Sequence, residues 1–309
     1  MKRALTAVAT AAVLLLAGGC GGGDDETATT RPSGSAAASY PVTVGDLTLD
    51  KQPERIVSLT PTATEMLFAI GAGSQVVAVD DQSNYPAEAP KTDLSGFKPN
   101  AEAIAAKNPD LVVLSNDTNK IVAALGKLKI PVFLTPAAIT MEDTYTQIVR
   151  LGTLTGHQGE AEALHQRMVT RIDQIVKGVP PRTKPISYYY ELDPTLYSVT
   201  SKTFVGSIFA MFGMTNVADA ADPGGAKGGY PQLAQEALIK ADPDMIFLAD
   251  SRCCQQSART VAARSGWTTI TAVRTGQIVP LDDDIASRWG PRTVDLVQSV
   301  ADAVAKVPA

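Results

Sequence analysis

Two adjacent cysteines, Cys253 and Cys254, carry the most distinctive chemistry that this sequence offers. They follow an apolar run at residues 244–250, and the only other cysteine of the chain is Cys20. Adjacent thiols can close a strained disulfide, remain free or bind a soft metal, whereas redox dithiols normally keep two residues between their cysteines. We therefore expect a vicinal disulfide that stiffens a loop, with free thiols and a metal site as the alternatives.

Other residues that support catalysis or metal binding occur without the spacing that such chemistry needs. The two histidines, His157 and His165, lack the i, i+4 spacing that places two metal ligands on one helix face. The sequence contains neither a Gly-x-Ser-x-Gly elbow nor a Gly-x-x-x-x-Gly-Lys phosphate loop. We expect no metal site, no covalently bound cofactor and no enzymatic activity, with a thiol-redox protein as the remaining enzymatic alternative.

Polar and aromatic residues follow several predicted strands, where ligands bind in open α/β sheets. These ligand-binding candidates are Tyr85, Asn116, Asp117, Arg252, Asp283, Arg288 and Trp289. Several have a structural alternative: a surface aromatic for Tyr85, helix caps for Asn116 and Asp117, and core packing for Trp289. Thr62 and Glu65 have the spacing of a capping box, which predicts a helix N-terminus there. We expect Arg292 to anchor the last helix.

The elements that must position these residues alternate between strand and helix. Each predicted strand is short, rich in β-branched residues and bounded by Gly, Pro, Asp or Asn. Helical stretches between strands are typical of parallel sheets covered by helices. The predicted strands are residues 55–60, 75–80, 110–115, 131–136, 186–192, 244–250 and 277–282.

An internal repeat and one long helix predict the arrangement of these elements. Residues 103–116 and 237–250 both combine a helix end, an Asn-Pro-Asp or Asp-Pro-Asp turn and a buried strand, which suggests two similar lobes. Between them, apolar residues recur every three or four positions along one helix at residues 157–178. We predict an α/β fold of two Rossmann-like lobes joined by this single backbone helix, with a ligand cleft between the lobes.

The N-terminal residues predict export and lipid anchoring. A basic start, an apolar stretch and the sequence AGGC resemble a bacterial lipoprotein signal, in which Cys20 becomes the lipid-modified residue. The following small, polar segment cannot bury a core and suits a flexible tether. The predicted divisions are a signal peptide at 1–19, a tether at 20–39, a first lobe at 40–142, connecting helices at 143–181 and a second lobe at 182–309.

Five segments resemble the cobalamin- and iron-siderophore-binding proteins of ABC importers, and most closely the cobalamin-binding members. They are RIVSLTPTATEMLFAIGAGSQVVAVDDQSNYPAEA, NPDLVVLSN, YYELDP, GGYPQLAQEAL and RWGPRTVDLVQSVADAV. The resemblance implies rigid lobes, a ligand in the cleft and delivery of that ligand to a permease and its ATPase. It also implies a monomeric extracytoplasmic protein without enzymatic activity, held at the membrane only by its lipid. Nucleic acid is not an expected partner, because the net charge is −5 and the basic residues are dispersed.

The resemblance further assigns Tyr230 to the ligand and Glu236 to docking on the permease. The matching first-lobe carboxylate is not evident, since Asn119 and Lys120 stand where we expected one. Aromatic side chains suit a wide, flat, neutral ligand, whereas an anionic ferric siderophore favours several free arginines. The sequence thus favours a corrinoid, with a ferric siderophore as the alternative and a non-transport envelope protein outside that class.

Overall fold

The computed structural model of this chain describes residues 39–307. The predicted signal peptide and Cys20 lie outside the described residues. Within them the strands are β1 Val42–Val44, β2 Leu47–Leu49, β3 Ile56–Leu59, β4 Val76–Val79, β5 Leu111–Leu114, β6 Val132–Leu134, β7 Ser187–Glu191, β8 Thr215–Asn216, β9 Met245–Leu248 and β10 Ile278–Pro280. The helices are α1 Pro61–Ala69, α2 Ala101–Ala105, α3 Ile121–Lys127, α4 Met141–Thr155, α5 Gln158–Gly178, α6 Phe204–Ala210, α7 Gln235–Ala241, α8 Ala258–Ala262, α9 Thr271–Arg274, α10 Asp283–Ala286 and α11 Thr293–Lys306.

Eight of these strands form two parallel sheets, one in each predicted lobe. The first sheet has the order β4-β3-β5-β6, and the second has the order β10-β9-β7-β8. The central strands β3, β5 and β9 are buried at every position, as expected for parallel strands with helices on both faces. The predicted α/β class with two lobes is therefore confirmed.

The long helix predicted between the lobes is α5, and its apolar stripe faces the core. Its five regularly spaced apolar residues are all buried: Ala161, Leu164, Met168, Ile172 and Ile175. At about 1.5 Å per residue this helix is about 30 Å long. The largest apolar core includes these residues together with side chains from both sheets and from α4 and α11. The lobes are thus joined through packed helices, which favours a stiff connection.

The internal repeat has the same local geometry in both copies. Asn108 and Asp242 both adopt left-handed backbone conformations, with φ of 50° and 44°, just before the prolines. After each proline an aspartate accepts a hydrogen bond from the backbone of the neighbouring strand: Asp110 from Arg55 at 2.9 Å and Asp244 from Ser187 at 2.8 Å. The repeat therefore fixes how each strand follows its helix in both lobes.

All seven predicted strands are present, and three short strands were not predicted. Strands β1 and β2 form an antiparallel hairpin, and β8 contains only two residues at the edge of the second sheet. Such short segments offer too few residues for a reliable alternating pattern. None of the helices in the described part of the chain is long and apolar enough to cross a membrane.

Candidate functional site

A cavity of about 370 Å³ opens at the carboxyl ends of the first-lobe strands. Its size lies within the range of about 300–1,000 Å³ that small-molecule sites occupy. The lining residues are Leu59, Thr60, Pro61, Thr62, Gln82, Gly96, Phe97, Ser115 and Asn116 from the first lobe, and Asp284, Ser287, Arg288 and Trp289 from the second. The cavity therefore belongs to both lobes, although the first lobe supplies most of its wall.

Phe97 is an aromatic lining residue that sequence reasoning missed. It is 76% exposed, which is unusual for a phenylalanine. The preceding Gly96 packs so closely on the end of β3 that a Cβ atom would clash with the Leu59 carbonyl oxygen. Gly96 thus lets the loop lie flat on the sheet edge and present Phe97. A glycine–aromatic pair in the loop after a strand is the signal that could have identified it.

The predicted capping box at Thr62 and Glu65 is wrong. Helix α1 begins at Pro61 after an extended Thr60, so Thr62 already lies within the first turn. Glu65 is 3% exposed and points away from the helix terminus towards the second lobe. It accepts hydrogen bonds from Arg288 at 2.8 Å and from Nε of Arg292 at 2.9 Å. Glu65 therefore joins the lobes through a buried ion pair with two arginines.

Arg288 lines the cavity, as predicted from the sequence, but both sides of its guanidinium are occupied. One nitrogen lies 2.8 Å from Glu65, and the other lies 2.7 Å from Asp284. The second nitrogen also donates to the Gln82 carbonyl at 3.3 Å. Two carboxylates therefore balance the charges of Arg288 and its neighbour Arg292, and this wall of the cavity carries little net charge.

Trp289 packs against the core and also lines the cavity. Its indole N–H donates to Gln147 at 3.2 Å, and its carbonyl accepts from Thr144 at 2.9 Å. Both partners lie on α4, and Trp289 also packs against the main core. The same residue lines the cavity, so these hydrogen bonds fix the orientation of its ring at the cavity wall.

Tyr85 lies outside this cavity. Its ring is 47% exposed, and the guanidinium of Arg292 lies 4.3 Å from its centroid. It lines a separate depression with Phe68, Pro86 and Pro291. One face of the ring is therefore already covered by a cation, which leaves less of it for a flat ligand.

Asn116 and Asp117 follow β5 and both act as turn or cap residues. The Asn116 side-chain oxygen accepts from the Thr118 backbone at 3.0 Å, and the Asp117 carboxylate accepts from Val122 at 2.8 Å. Asn116 still lines the cavity, whereas Asp117 does not. The helix-cap alternative thus applies to both residues, and Asn116 keeps access to a ligand.

Tyr230 is presented by a glycine-rich loop at the edge of the second lobe. Asp222 accepts hydrogen bonds from the backbone of Lys227 at 3.0 Å and of Gly229 at 2.9 Å, which holds this loop in place. These backbone hydrogen bonds lower the pKa of Asp222. The Tyr230 ring is 50% exposed and lies beyond the walls of the cavity.

The cysteine loop is held by Asp283 rather than facing the cavity. The Asp283 carboxylate accepts from the backbone of Arg252 at 3.0 Å and of Cys253 at 2.7 Å. Partial burial favours the protonated form of Asp283, but these N–H groups and the Ser251 hydroxyl outweigh it and lower its pKa. Arg252 is 66% exposed and pairs with Asp282 at 2.9 Å. Through these contacts, Arg252 and Asp283 hold the cysteine loop and the segment after β10 together.

The two thiols of this loop lie within reach of each other. Both cysteines are free thiols in this structure, with their sulfur atoms 2.6 Å apart and Cys253 exposed. Desolvation, the neighbouring thiol and the Asp283 carboxylate raise the pKa of Cys253 to about 12. A catalytic redox cysteine needs a depressed pKa instead, so the environment of Cys253 argues against thiol-redox catalysis. Nor do the described residues include a cluster of three or more potential metal ligands.

Beneath the cysteine loop, the second lobe buries a cluster of charges. Arg264 binds the fully buried Glu191 through two contacts of 2.6 Å, and Asp250 lies beside them with both carboxylate oxygens unpartnered. Burial and the Glu191 carboxylate raise the pKa of Asp250 to about 7. These strand ends are therefore filled by the protein's own side chains, whereas in the first lobe the ends of β3 and β5 border the open cavity.

The sequence of this chain is similar to those of known solute-binding proteins. The profile of the periplasmic binding protein family matches residues 56–285. A cobalamin-binding protein of Halobacterium salinarum is 32% identical over 281 residues, which cover 86% of this chain and 75% of that protein. An ABC transporter substrate-binding lipoprotein of Bacillus subtilis is 29% identical over 280 residues, which cover 86% of each chain.

Solved structures share the same fold. A protein from Staphylococcus epidermidis, described as a possible iron-binding periplasmic solute-binding protein, superposes with a TM-score of 0.71 at 25% identity. The match covers 83% of this chain and 100% of that one. The vitamin B12-binding protein of Vibrio cholerae superposes with a TM-score of 0.68 at 24% identity, covering 82% and 96% of the two chains. At that identity the second likeness supports the fold alone.

Proposed function

This chain belongs to the periplasmic binding protein family, and from that premise we propose that it captures a neutral corrinoid for an ABC importer. Members of this family bind solutes for transport rather than transform them, so the chain is not an enzyme. Its place is on the extracytoplasmic side, where it binds its ligand and delivers it to the permease and ATPase. The H. salinarum relative named a cobalamin-binding protein supports the choice of a corrinoid.

The observation that carries this proposal is the absence of an unpaired cation among the described residues that line the cavity. Arg288 is the only arginine or lysine in that wall, and its charge is balanced by Glu65 and Asp284. Arg252 is likewise paired with Asp282. An anionic ferric siderophore would lack the charge-assisted contacts that such a ligand normally receives.

Exposed aromatic rings supply the second part of the argument. Phe97 and Trp289 line the cavity, and Tyr230 is an exposed ring of the second lobe outside it. Rigid rings give a large contact area at a low entropic cost, which suits a flat macrocycle wider than the cavity itself. We propose that a corrin ring lies across these three side chains, with Asn116 available to its amide groups.

A ferric siderophore remains the second candidate, because the similar S. epidermidis protein is described as possibly iron-binding. Titration calorimetry of the full chain with cyanocobalamin, cobinamide and a panel of ferric siderophores separates the two. We expect saturable binding of one corrinoid per chain. A siderophore that binds while both corrinoids fail would replace our first candidate, and no binding across the panel would remove both.

For docking on the permease we propose one carboxylate from each lobe, Glu236 and Glu102. The internal repeat supports Glu102 as the first-lobe residue that the sequence left unassigned. Both glutamates are exposed, both lie in the first turn of their helices, and each is followed two positions later by a fully buried residue, Ile104 or Leu238. A Glu102→Lys and Glu236→Lys double variant should abolish uptake in cells while leaving calorimetric ligand affinity unchanged.

We also propose that Cys20 carries the lipid anchor, in keeping with the lipoprotein name of the B. subtilis relative. Metabolic labelling with a fatty acid should mark the wild-type chain, and a Cys20→Ala variant should lose both the label and its membrane association. A membrane-bound, unlabelled wild-type chain would contradict this assignment.

For the cysteine loop we retain the vicinal disulfide as a proposal. The thiols lie 2.6 Å apart, and the carboxylate of Asp283 anchors the loop that bears them. Mass spectrometry of the unreduced, thiol-blocked protein tests it, because a bridged pair takes up no blocking reagent. Two blocked thiols at Cys253 and Cys254 would rule the bridge out.

A further inference from the structure

Glu65 occupies an unusual position for a carboxylate in a ligand-binding protein. Its side chain is 1% exposed, yet it lies next to the cavity and contacts arginines from the other lobe. Arg292 makes two of these contacts, at 2.9 and 2.5 Å, and Arg288 makes one at 2.8 Å. Burying a carboxylate costs free energy unless the carboxylate is paired with a cation. Arg292 already supplies such a cation to Glu65, so the additional pairing with Arg288 at the cavity wall calls for its own explanation.

The pairing decides the charge that a ligand meets. Arg288 forms part of the cavity wall, and its guanidinium lies between Glu65 on one side and Asp284 on the other. An unpaired arginine at this position would attract carboxylate, catecholate or phosphate groups through charge-assisted hydrogen bonds. With both partners in place, Arg288 already donates to Glu65, Asp284 and the Gln82 carbonyl within the protein, and two carboxylates lie against its charge.

We propose that Glu65 is a specificity-determining residue, which excludes anionic ligands by neutralising Arg288 at the cavity wall. Asp284 supports it from the second lobe. Glu65 is a buried residue of helix α1, which fixes its position beside the cavity. This inference rests on the proposed binding of a neutral ligand in this cavity, and it names the residue that sets the preference.

The test compares two probes, cyanocobalamin and a ferric tris-catecholate complex, which is a trianion. Calorimetry of the full chain should show that Glu65→Gln strengthens binding of the trianion about tenfold or more, because Arg288 then has a free donor. Asp284→Asn, at a more accessible site, should strengthen it about threefold. Each gain should shrink as salt is added, because added ions screen the attraction.

Two further variants serve as controls. The double variant Glu65→Gln and Arg288→Gln should bind the trianion no more tightly than the wild type, because the Arg288 guanidinium is then removed. Glu160→Gln removes the same charge from an exposed position on α5, and it should leave both affinities unchanged. Circular dichroism establishes that each variant is folded, and Asp284→Asn decides the question if Glu65→Gln does not fold.

The outcomes separate this proposal from the proposed function. A gain for the trianion that Arg288→Gln cancels supports the role of Glu65, whatever the wild type does with cyanocobalamin. No gain in any folded variant, or a wild type that already binds the trianion more tightly than its variants, overturns it. If the wild type binds no corrinoid, only the proposed ligand is overturned. The role of Glu65 is still decided by the ratio of the variant's affinity for the trianion to that of the wild type.

Discussion

The two lobes repeat the same strand-and-helix unit, but their strand ends differ. In the first lobe, Asn116 follows β5 at an exposed position and lines an open cavity. In the second lobe, Asp250 occupies the equivalent position after β9 and is completely buried beneath the cysteine loop. The end of β5 is thus accessible in the first lobe, while the matching end of β9 in the second lobe is filled by buried charges. Two copies of one strand-and-helix unit can therefore end in the wall of an open cavity and in a buried cluster of charges.

The largest predicted effect concerns the filled edge of the second lobe. Arg264→Met should lower the free energy of unfolding by about 3–5 kcal/mol, because it leaves the buried Glu191 without its partner. The matched change Arg252→Met breaks an exposed pair and should cost about 1 kcal/mol or less. Urea denaturation of both variants measures the difference. Equal losses would mean that the buried cluster does not support the second lobe in the way its contacts suggest.

Much of this fold, and part of its site, follows from the sequence. Short apolar runs bounded by turn residues predicted seven of the ten strands in the described part of the chain, including the fully buried central strands β3, β5 and β9. Three of the predicted ligand-binding residues, Arg288, Trp289 and Asn116, line the cavity. The partners of these side chains were not predictable, since Glu65 meets Arg288 only after the chain has formed both lobes. Phe97 was missed because no strand was predicted directly before it.

The next prediction tests whether ligand contacts come from both lobes. Phe97→Ala and Tyr230→Ala should each weaken corrinoid binding about tenfold, or about 1.4 kcal/mol, through the loss of ring contact. Tyr197→Ala removes another exposed ring of the second lobe, 42% exposed, and should have no effect. Calorimetry with cyanocobalamin compares the three. An unchanged affinity in Tyr230→Ala would confine the site to the cavity, to which the second lobe contributes Arg288 and Trp289.

A further prediction is the pH dependence of stability that Asp250 gives to the second lobe. Its pKa is raised from 3.8 to about 7, so the folded state holds a proton that the unfolded state has already released. The folded state therefore loses stability as the pH rises from about 4 to about 7, and no more is lost above that window. The groups facing Asp250 are the Glu191 carboxylate, the Arg264 guanidinium and the Tyr189 hydroxyl.

Urea denaturation at about pH 5 and about pH 8 measures this dependence. Asp250→Asn should reduce the loss of stability between the two conditions, because it removes the titrating group. Asp46→Asn, which changes an exposed aspartate of the hairpin turn, serves as the control and should leave the loss unchanged. An Asp250→Asn protein with the full wild-type pH dependence would show that another group titrates in this window.

The most direct test of the central claim is the relative affinity of the full-length protein for a neutral corrinoid and for an anionic iron complex. Calorimetry with cyanocobalamin and a ferric tris-catecholate, under the same buffer and salt, gives both values in one series. The paired charges of Arg288 and the exposed rings of Phe97 and Tyr230 predict that the corrinoid binds more tightly. Tight binding of the anionic complex, with no measurable binding of the corrinoid, would contradict this account.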